Sequence, residues 1–161
     1  MNYLTKISAF SSGSSSGVGK ELSINLAKNG YHILIHGRNL KKLNYLYDEI
    51  ISLKGTSTII HLDLTDFNGI DRLGYEIFEK YKKLDLLVMN AAILGTLAPL
   101  CHQKPKEFED VLDTNLIANF RLLRSLELSL KQSENGKLCV ISSKLTTNPK
   151  PFWGAYSVSK A

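Results

Sequence analysis

Residues 12–19 read Ser12-Gly13-Ser14-Ser15-Ser16-Gly17-Val18-Gly19, a glycine-rich turn between a short apolar run, Lys6–Phe10, and a segment of helical period that opens at Gly17. A strand that enters such a turn and leaves it as a helix aims backbone N–H groups and the positive end of the helix dipole at one point, where a phosphate can sit. Gly13, Gly17 and Gly19 allow close backbone approach, with Ser15, Ser16 and Val18 filling the turn between them. A phosphate-loop NTPase begins similarly but requires Gly, four residues, then Gly-Lys-Ser/Thr. Gly19-Lys20 is present, yet Ser14 stands where the first glycine belongs and Glu21 replaces the magnesium-binding hydroxyl. A sharp strand-to-helix connection without a ligand also favours Gly and Ser, so the rest of the chain has to decide.

Outward from the turn, short β-branched runs alternate with longer segments of helical period. Strands are predicted near Lys6–Phe10, Tyr31–His36, Ser57–Leu62, Leu84–Met89 and Lys137–Ile141, and helices near Gly17–Asn29, Leu40–Ser52, Asp66–Tyr81 and Phe108–Gln132. Asn29-Gly30, Gly55 and Gly136 punctuate the helix ends. The alternation predicts one α/β domain, a doubly wound parallel sheet of the Rossmann type, whose ligands bind outside the carboxyl ends of the strands. The long last helix is apolar over more than one stripe, so one face can cover the sheet and another is left for a partner.

Composition closes off other classes. The 161 residues are 43% hydrophobic and 22% charged, ordinary for one globular domain. The longest apolar stretch, Leu84–Leu97, is cut by Asp85, Asn90, Gly95 and Thr96, so a membrane span is not expected. The N-terminus is too short in apolar residues for a secretory signal, which points to the cytoplasm. Cys101 and Cys139 have no metal-ligand spacing and read as reduced thiols. The net charge of +5 comes from Lys and Arg scattered with no run longer than two, so nucleic acid is not an expected partner.

The spacing Gly13-x-x-x-Gly17-x-Gly19 resembles that of the short-chain dehydrogenase/reductase family, and the resemblance can be followed along the whole chain. After the second strand, His36-Gly37-Arg38-Asn39 places Gly37 where NAD-preferring members carry an acid, and Arg38 next to it. An Arg there accommodates a ribose 2′-phosphate, so NADP(H) is the expected cofactor, with NAD(H) still usable. The other reading of Arg38 is the start of a surface helix. Asp63 matches the family's contact to the adenine amino group, or else caps the next helix. Met89-Asn90-Ala91-Ala92 is similar to the family's Asn-Asn-Ala-Gly turn in two of four positions. Asn90 and Ala91 are accordingly expected on the adenosine side.

Tyr156-x-x-x-Lys160 matches the family's acid–base pair, and Ser143 stands thirteen residues before the tyrosine, which is the family's spacing. Residues four apart share a helix face, so the Lys160 ammonium can favour the Tyr156 phenolate. The resemblance implies that Tyr156 protonates a substrate carbonyl, Ser143 hydrogen-bonds the same oxygen, and Lys160 anchors the nicotinamide ribose. Asn115 completes the set by supporting a proton relay, its alternative being a helix-surface amide. The resemblance thus implies carbonyl–alcohol interconversion on a small-molecule substrate and homo-oligomerisation through the long helix. It also implies that the final strands and the substrate-covering segment lie beyond Ala161, so that this C-terminally truncated chain would leave Lys160 on a frayed helix end. A non-catalytic dinucleotide-binding protein, an inactive fragment, and an epimerase or dehydratase on the same scaffold are the alternatives.

Overall fold

The structure is a computed structural model that describes residues 8–161. Five strands, β1 (Ser8–Ser11), β2 (His32–Gly37), β3 (Thr56–His61), β4 (Leu86–Met89) and β5 (Lys137–Val140), form one parallel sheet in the order β3-β2-β1-β4-β5. Lys6 and Ile7 of the predicted first strand lie outside the described residues. All residues of β1 and β2 are buried, as strands covered on both faces by crossover helices must be. Their alternation fixes which layer each side chain enters. Ala9, Ile33 and Ile35 pack with Ile24, Leu43, Leu46 and Ile50 on one face. Phe10 and Leu34 face the other, with Ile70, Ile77, Leu122 and Leu126.

The first face is covered by α1 (Gly17–Lys28) and α2 (Leu40–Ser52), the second by α3 (Phe67–Tyr81) and α5 (Ala118–Lys131). The predicted strand and helix ends shift by a residue or two. Asp66, predicted inside α3, is instead its N-cap and accepts from Gly69 N at 2.8 Å. At the end of α2 the left-handed residue is Lys54, with φ 60°. Gly55 serves close approach there, because a Cβ on it would lie 2.9 Å from Ile50 Cγ2.

The single long helix predicted over Phe108–Gln132 is broken. It runs as α4 (Pro105–Leu112), a π-helical turn over Asp113–Ile117, and α5. The inserted residue turns Thr114 and Asn115 inward, and such π-bulges gather at functional sites. A final helix, α6 (Gly154–Lys160), carries Tyr156 and Lys160. The strand order reverses at β1, whose neighbours are β2 and β4, which makes the carboxyl ends of β1 and β4 the switch point where such sheets bind ligands.

Candidate functional site

The glycine turn leaves β1 at this switch point. Gly13 and Gly17 have φ of 67° and 55°, the left-handed region that costs other residues about 1–2 kcal/mol. A Cβ on Gly13 would lie 2.9 Å from Ala91 Cα, and one on Gly19 would run into the Gly13 carbonyl. Gly19 therefore lets α1 close on the turn rather than facing a ligand. Val18 is exposed on the first turn of α1. Ser16 is the N-cap of α1 and makes no side-chain cap bond, and the first turn has no acid. The helix start is thereby left open to an anion.

Ser12, to which the sequence assigned no role, ties the turn to the exit of β4. Its hydroxyl accepts from Asn90 N at 2.9 Å and Ala91 N at 3.0 Å. Asn90 Nδ2 returns the link, donating to Ser12 O at 3.1 Å and Gly13 O at 3.3 Å. Asn90 thus ties the glycine turn to the exit of β4.

Gly13, Ser15, Ser16, Arg38, Asp63, Asn90 and Ala91 all line one cavity of about 540 Å³, so seven of the expected cofactor contacts converge. Arg38 Nη1 stands 3.7 Å from Asp63 Oδ2, with both side chains about half exposed. A surface pair of this kind is worth at most about 1 kcal/mol, so an incoming phosphate can displace the carboxylate. Asp63 also accepts from Thr65 N and Thr65 Oγ1, each at 2.9 Å. Burial opposes ionisation, but the Thr65 bonds and the Arg38 charge hold its carboxyl below the usual range. Asp63 does not cap α3. At Gly37 a Cβ would sit 3.3 Å from Ser15 Cβ, so an acidic side chain there would crowd the turn.

His36, at the end of β2, is 1% exposed. Burial pushes its imidazole down to about 4, against the bond to Leu62 O and the charge of Asp63, while His61 adds to the lowering. An unfolded chain titrates its histidines near 6.5. Because the folded value is the lower one, the unfolded state holds the extra proton between about pH 6.5 and 4. Stability is complete above that window and falls as the pH drops through it. Acidification to about pH 5 should cost about 2 kcal/mol through this group. Urea midpoints at neutral pH and at pH 5 would read this loss, and His36→Leu should shrink the difference.

Of the four catalytic candidates, Asn115 and Lys160 share a hollow distinct from the cavity at the glycine turn, and neither Ser143 nor Tyr156 lines it. Asn115 is 3% exposed, not the helix-surface amide of the alternative reading. Its Oδ1 accepts from Ile93 N at 2.8 Å, and Nδ2 donates to Ile93 O and Ser159 Oγ, each at 2.9 Å. Ser159, which sequence reasoning passed over, accepts from Asn115 and so fastens α6 to the bulge, and it donates to Tyr156 O at 2.8 Å within α6. Lys160 Nζ donates to Ile141 O at 2.7 Å, and burial lowers its basicity. Ser142 Oγ donates to Lys160 O at 3.2 Å, a second bond between the segment after β5 and this helix end. Lys160 and Asn115 meet in a hollow of about 370 Å³ that Met89 and Ile141 also line. Ser143 Oγ accepts from Leu145 N at 3.3 Å and caps a short 3-10 turn. Tyr156 lies edge-on to Trp153, ring centroids 6.0 Å apart.

A parallel doubly wound sheet with an open glycine cradle at its switch point defines a dinucleotide-binding α/β domain. Residues 8–161 match the short chain dehydrogenase family, and the chain belongs to it. It is 31% identical over 151 residues to the uncharacterized oxidoreductase YciK of Escherichia coli, covering 92% of this chain and 60% of that protein. It is 35% identical over 159 residues to the 3-oxoacyl-[acyl-carrier-protein] reductase FabG of Rickettsia felis, covering 98% of this chain and 62% of the relative. The chain thus spans about 60% of the length of these relatives. A short chain dehydrogenase structure from Shigella flexneri, complexed with NADP, superposes with a TM-score of 0.92 at 30% identity, covering 99% of this chain and 68% of that one. An Escherichia coli structure complexed with NADPH gives 0.91 at 30% identity, with the same coverage. Among the described residues no helix is long and apolar enough to cross a membrane.

Proposed function

We propose that the protein is an NADP(H)-dependent oxidoreductase that interconverts a carbonyl and an alcohol. The observation that carries the reading is the convergence of the glycine turn, Asn90, Arg38 and Asp63 on one cavity, with Arg38 at its rim and no acid at Gly37. When bound, NADPH supplies the hydride. The open start of α1 would hold the pyrophosphate, and Arg38, released from Asp63, would hold the 2′-phosphate. Tyr156 would give its phenolic proton to the substrate oxygen, Ser143 would hydrogen-bond the same oxygen, and the Lys160 ammonium would offset the negative charge left on the phenolate. Asn115 and Ser159 keep α6 in register with the turn. The named activity of the FabG relative makes a 3-oxoacyl thioester the first substrate to try. The exposed Phe120 and Leu128 of α5 fit the reading of a homo-oligomer.

Consumption of one NADPH per carbonyl, followed by absorbance, tests the reaction class. Catalytic turnover without net NADPH loss would favour an epimerase or dehydratase. Arg38→Ala should weaken NADPH binding by about 10- to 100-fold, the worth of a charge-assisted bond of about 1.5–3 kcal/mol, with little change for NADH. Equal losses for the two cofactors would reject the role of Arg38.

A further inference from the structure

His36 is joined to both halves of the cavity wall. Its carbonyl accepts from Ser14 N at 2.8 Å. Its Nε2 lies 3.0 Å from the Leu62 carbonyl, and Gly13 N donates to its Nδ1 at 3.4 Å. A carbonyl can only accept, so the hydrogen resides on Nε2 and the Nδ1 lone pair faces Gly13. The ring is therefore neutral, in one tautomer, and bonded on both sides. It is seated against Phe10, ring centroids 5.7 Å apart, which fixes its plane. One of its partners belongs to the glycine turn, where the pyrophosphate would lie. The other directly precedes Asp63, at the adenosine end. The strand ladders end at Ser11, Gly37 and His61. Beyond them the Ser14 N–His36 O bond and the His61 Nε2–Arg38 O contact at 3.0 Å tie the loops to β2, and the His36 ring adds a link that reaches from the turn to Leu62.

We infer that His36 is a positioning residue that sets the spacing between the pyrophosphate cradle and the adenosine end of the cavity. Each end keeps its own supports without it. Asp63 retains Thr65 and Arg38, and the turn retains Ser12 and Asn90. What is lost is the side-chain link between them, the backbone bond from Ser14 N to His36 O being kept. A ligand that spans both ends requires the brace, whereas one that occupies a single end does not. Apolar residues are the usual occupants of a buried strand end, and a leucine would fill the space of the ring without either bond.

The inference rests on the dinucleotide reading of the cavity, and the test separates the two. NADPH, which spans both ends, and 2′-AMP, which occupies only the adenosine end, are titrated into the 161-residue chain and into His36→Leu. Wild type should bind both. The leucine variant should lose about tenfold in NADPH affinity, the effect of one mispositioned contact, with 2′-AMP affinity unchanged. His36→Gln keeps a donor for Leu62 and loses the acceptor for Gly13. It should show the same selective loss in smaller measure, and it answers the question should the leucine variant fail to fold. A purely structural role would lower thermal stability and weaken both ligands equally, which would overturn the inference, as would undiminished NADPH binding in both variants. Failure of wild type to bind NADPH would instead sink the reading of the cavity.

Discussion

Tyr156→Phe is expected to reduce carbonyl reduction by about 10²–10⁴-fold, the usual worth of a positioned general acid, while NADPH affinity is largely kept. The ring, its edge-on packing against Trp153 and the backbone of α6 survive the loss of one oxygen. The substitution therefore removes the proton donor and little else. The effect should appear in kcat, since the phenolic proton is needed in the transition state and not for binding. Ser143→Ala should act in the same direction. Its hydroxyl oxygen also accepts from Leu145 N, so part of its effect would come through the 3-10 turn that it caps. Wild-type turnover in Tyr156→Phe would remove the tyrosine from the mechanism.

The second large effect is expected at Gly19. A methyl group there would run into the Gly13 carbonyl and lie 2.5 Å from Asn90 Nδ2, neither of which can yield without moving the turn. Overpacking of this kind costs about 1–3 kcal/mol of stability. The greater consequence is for the cradle, because each backbone N–H that loses its phosphate forfeits about 1.5–3 kcal/mol, or about 10- to 100-fold in affinity. Gly17→Ala provides the contrast. A Cβ there meets nothing within 4 Å, leaving only the left-handed φ, about 1–2 kcal/mol. Calorimetry and NADPH titration of the two variants should therefore separate collision from strain. Gly19→Ala with unaltered NADPH affinity would show that close packing of α1 on the turn is not required.

Local signals carried most of the fold. β1 to β5 and α1 to α3 were legible because each has its own period and its own glycine or Asx punctuation, and α2 needed no adjustment at either end. The break in the long helix was not legible. A π-turn adds one residue to a helix whose apolar stripes continue on both sides, so periodicity runs through it. Periodicity likewise left Asn115 open between a relay residue and a helix-surface amide, and its burial in the π-turn, bonded to Ile93, excludes the surface amide. The glycine turn and the place of Arg38 beside it on one cavity were legible as motif and spacing, since a tight turn uses a short run of backbone and Arg38 directly follows a strand end. Ser12, His36 and Ser159 were not, because their roles consist of bonds between residues 23 to 79 apart in the chain. Nothing in a buried serine or a strand-end histidine marks such a partner. Asp63 shows the opposite limit. Its position beside a helix start invited a capping role, but the acid three residues on takes that role and leaves Asp63 to Thr65 and Arg38.

The central claim is that the cavity at the switch point is built for a 2′-phosphorylated dinucleotide. Titration of the chain with NADPH and with NADH, followed by the fluorescence of the reduced nicotinamide, tests it most directly. NADPH should bind about 10- to 100-fold more tightly than NADH, the increment expected from one charge-assisted contact between a phosphate and Arg38. Equal affinities, or no binding of either, would contradict it.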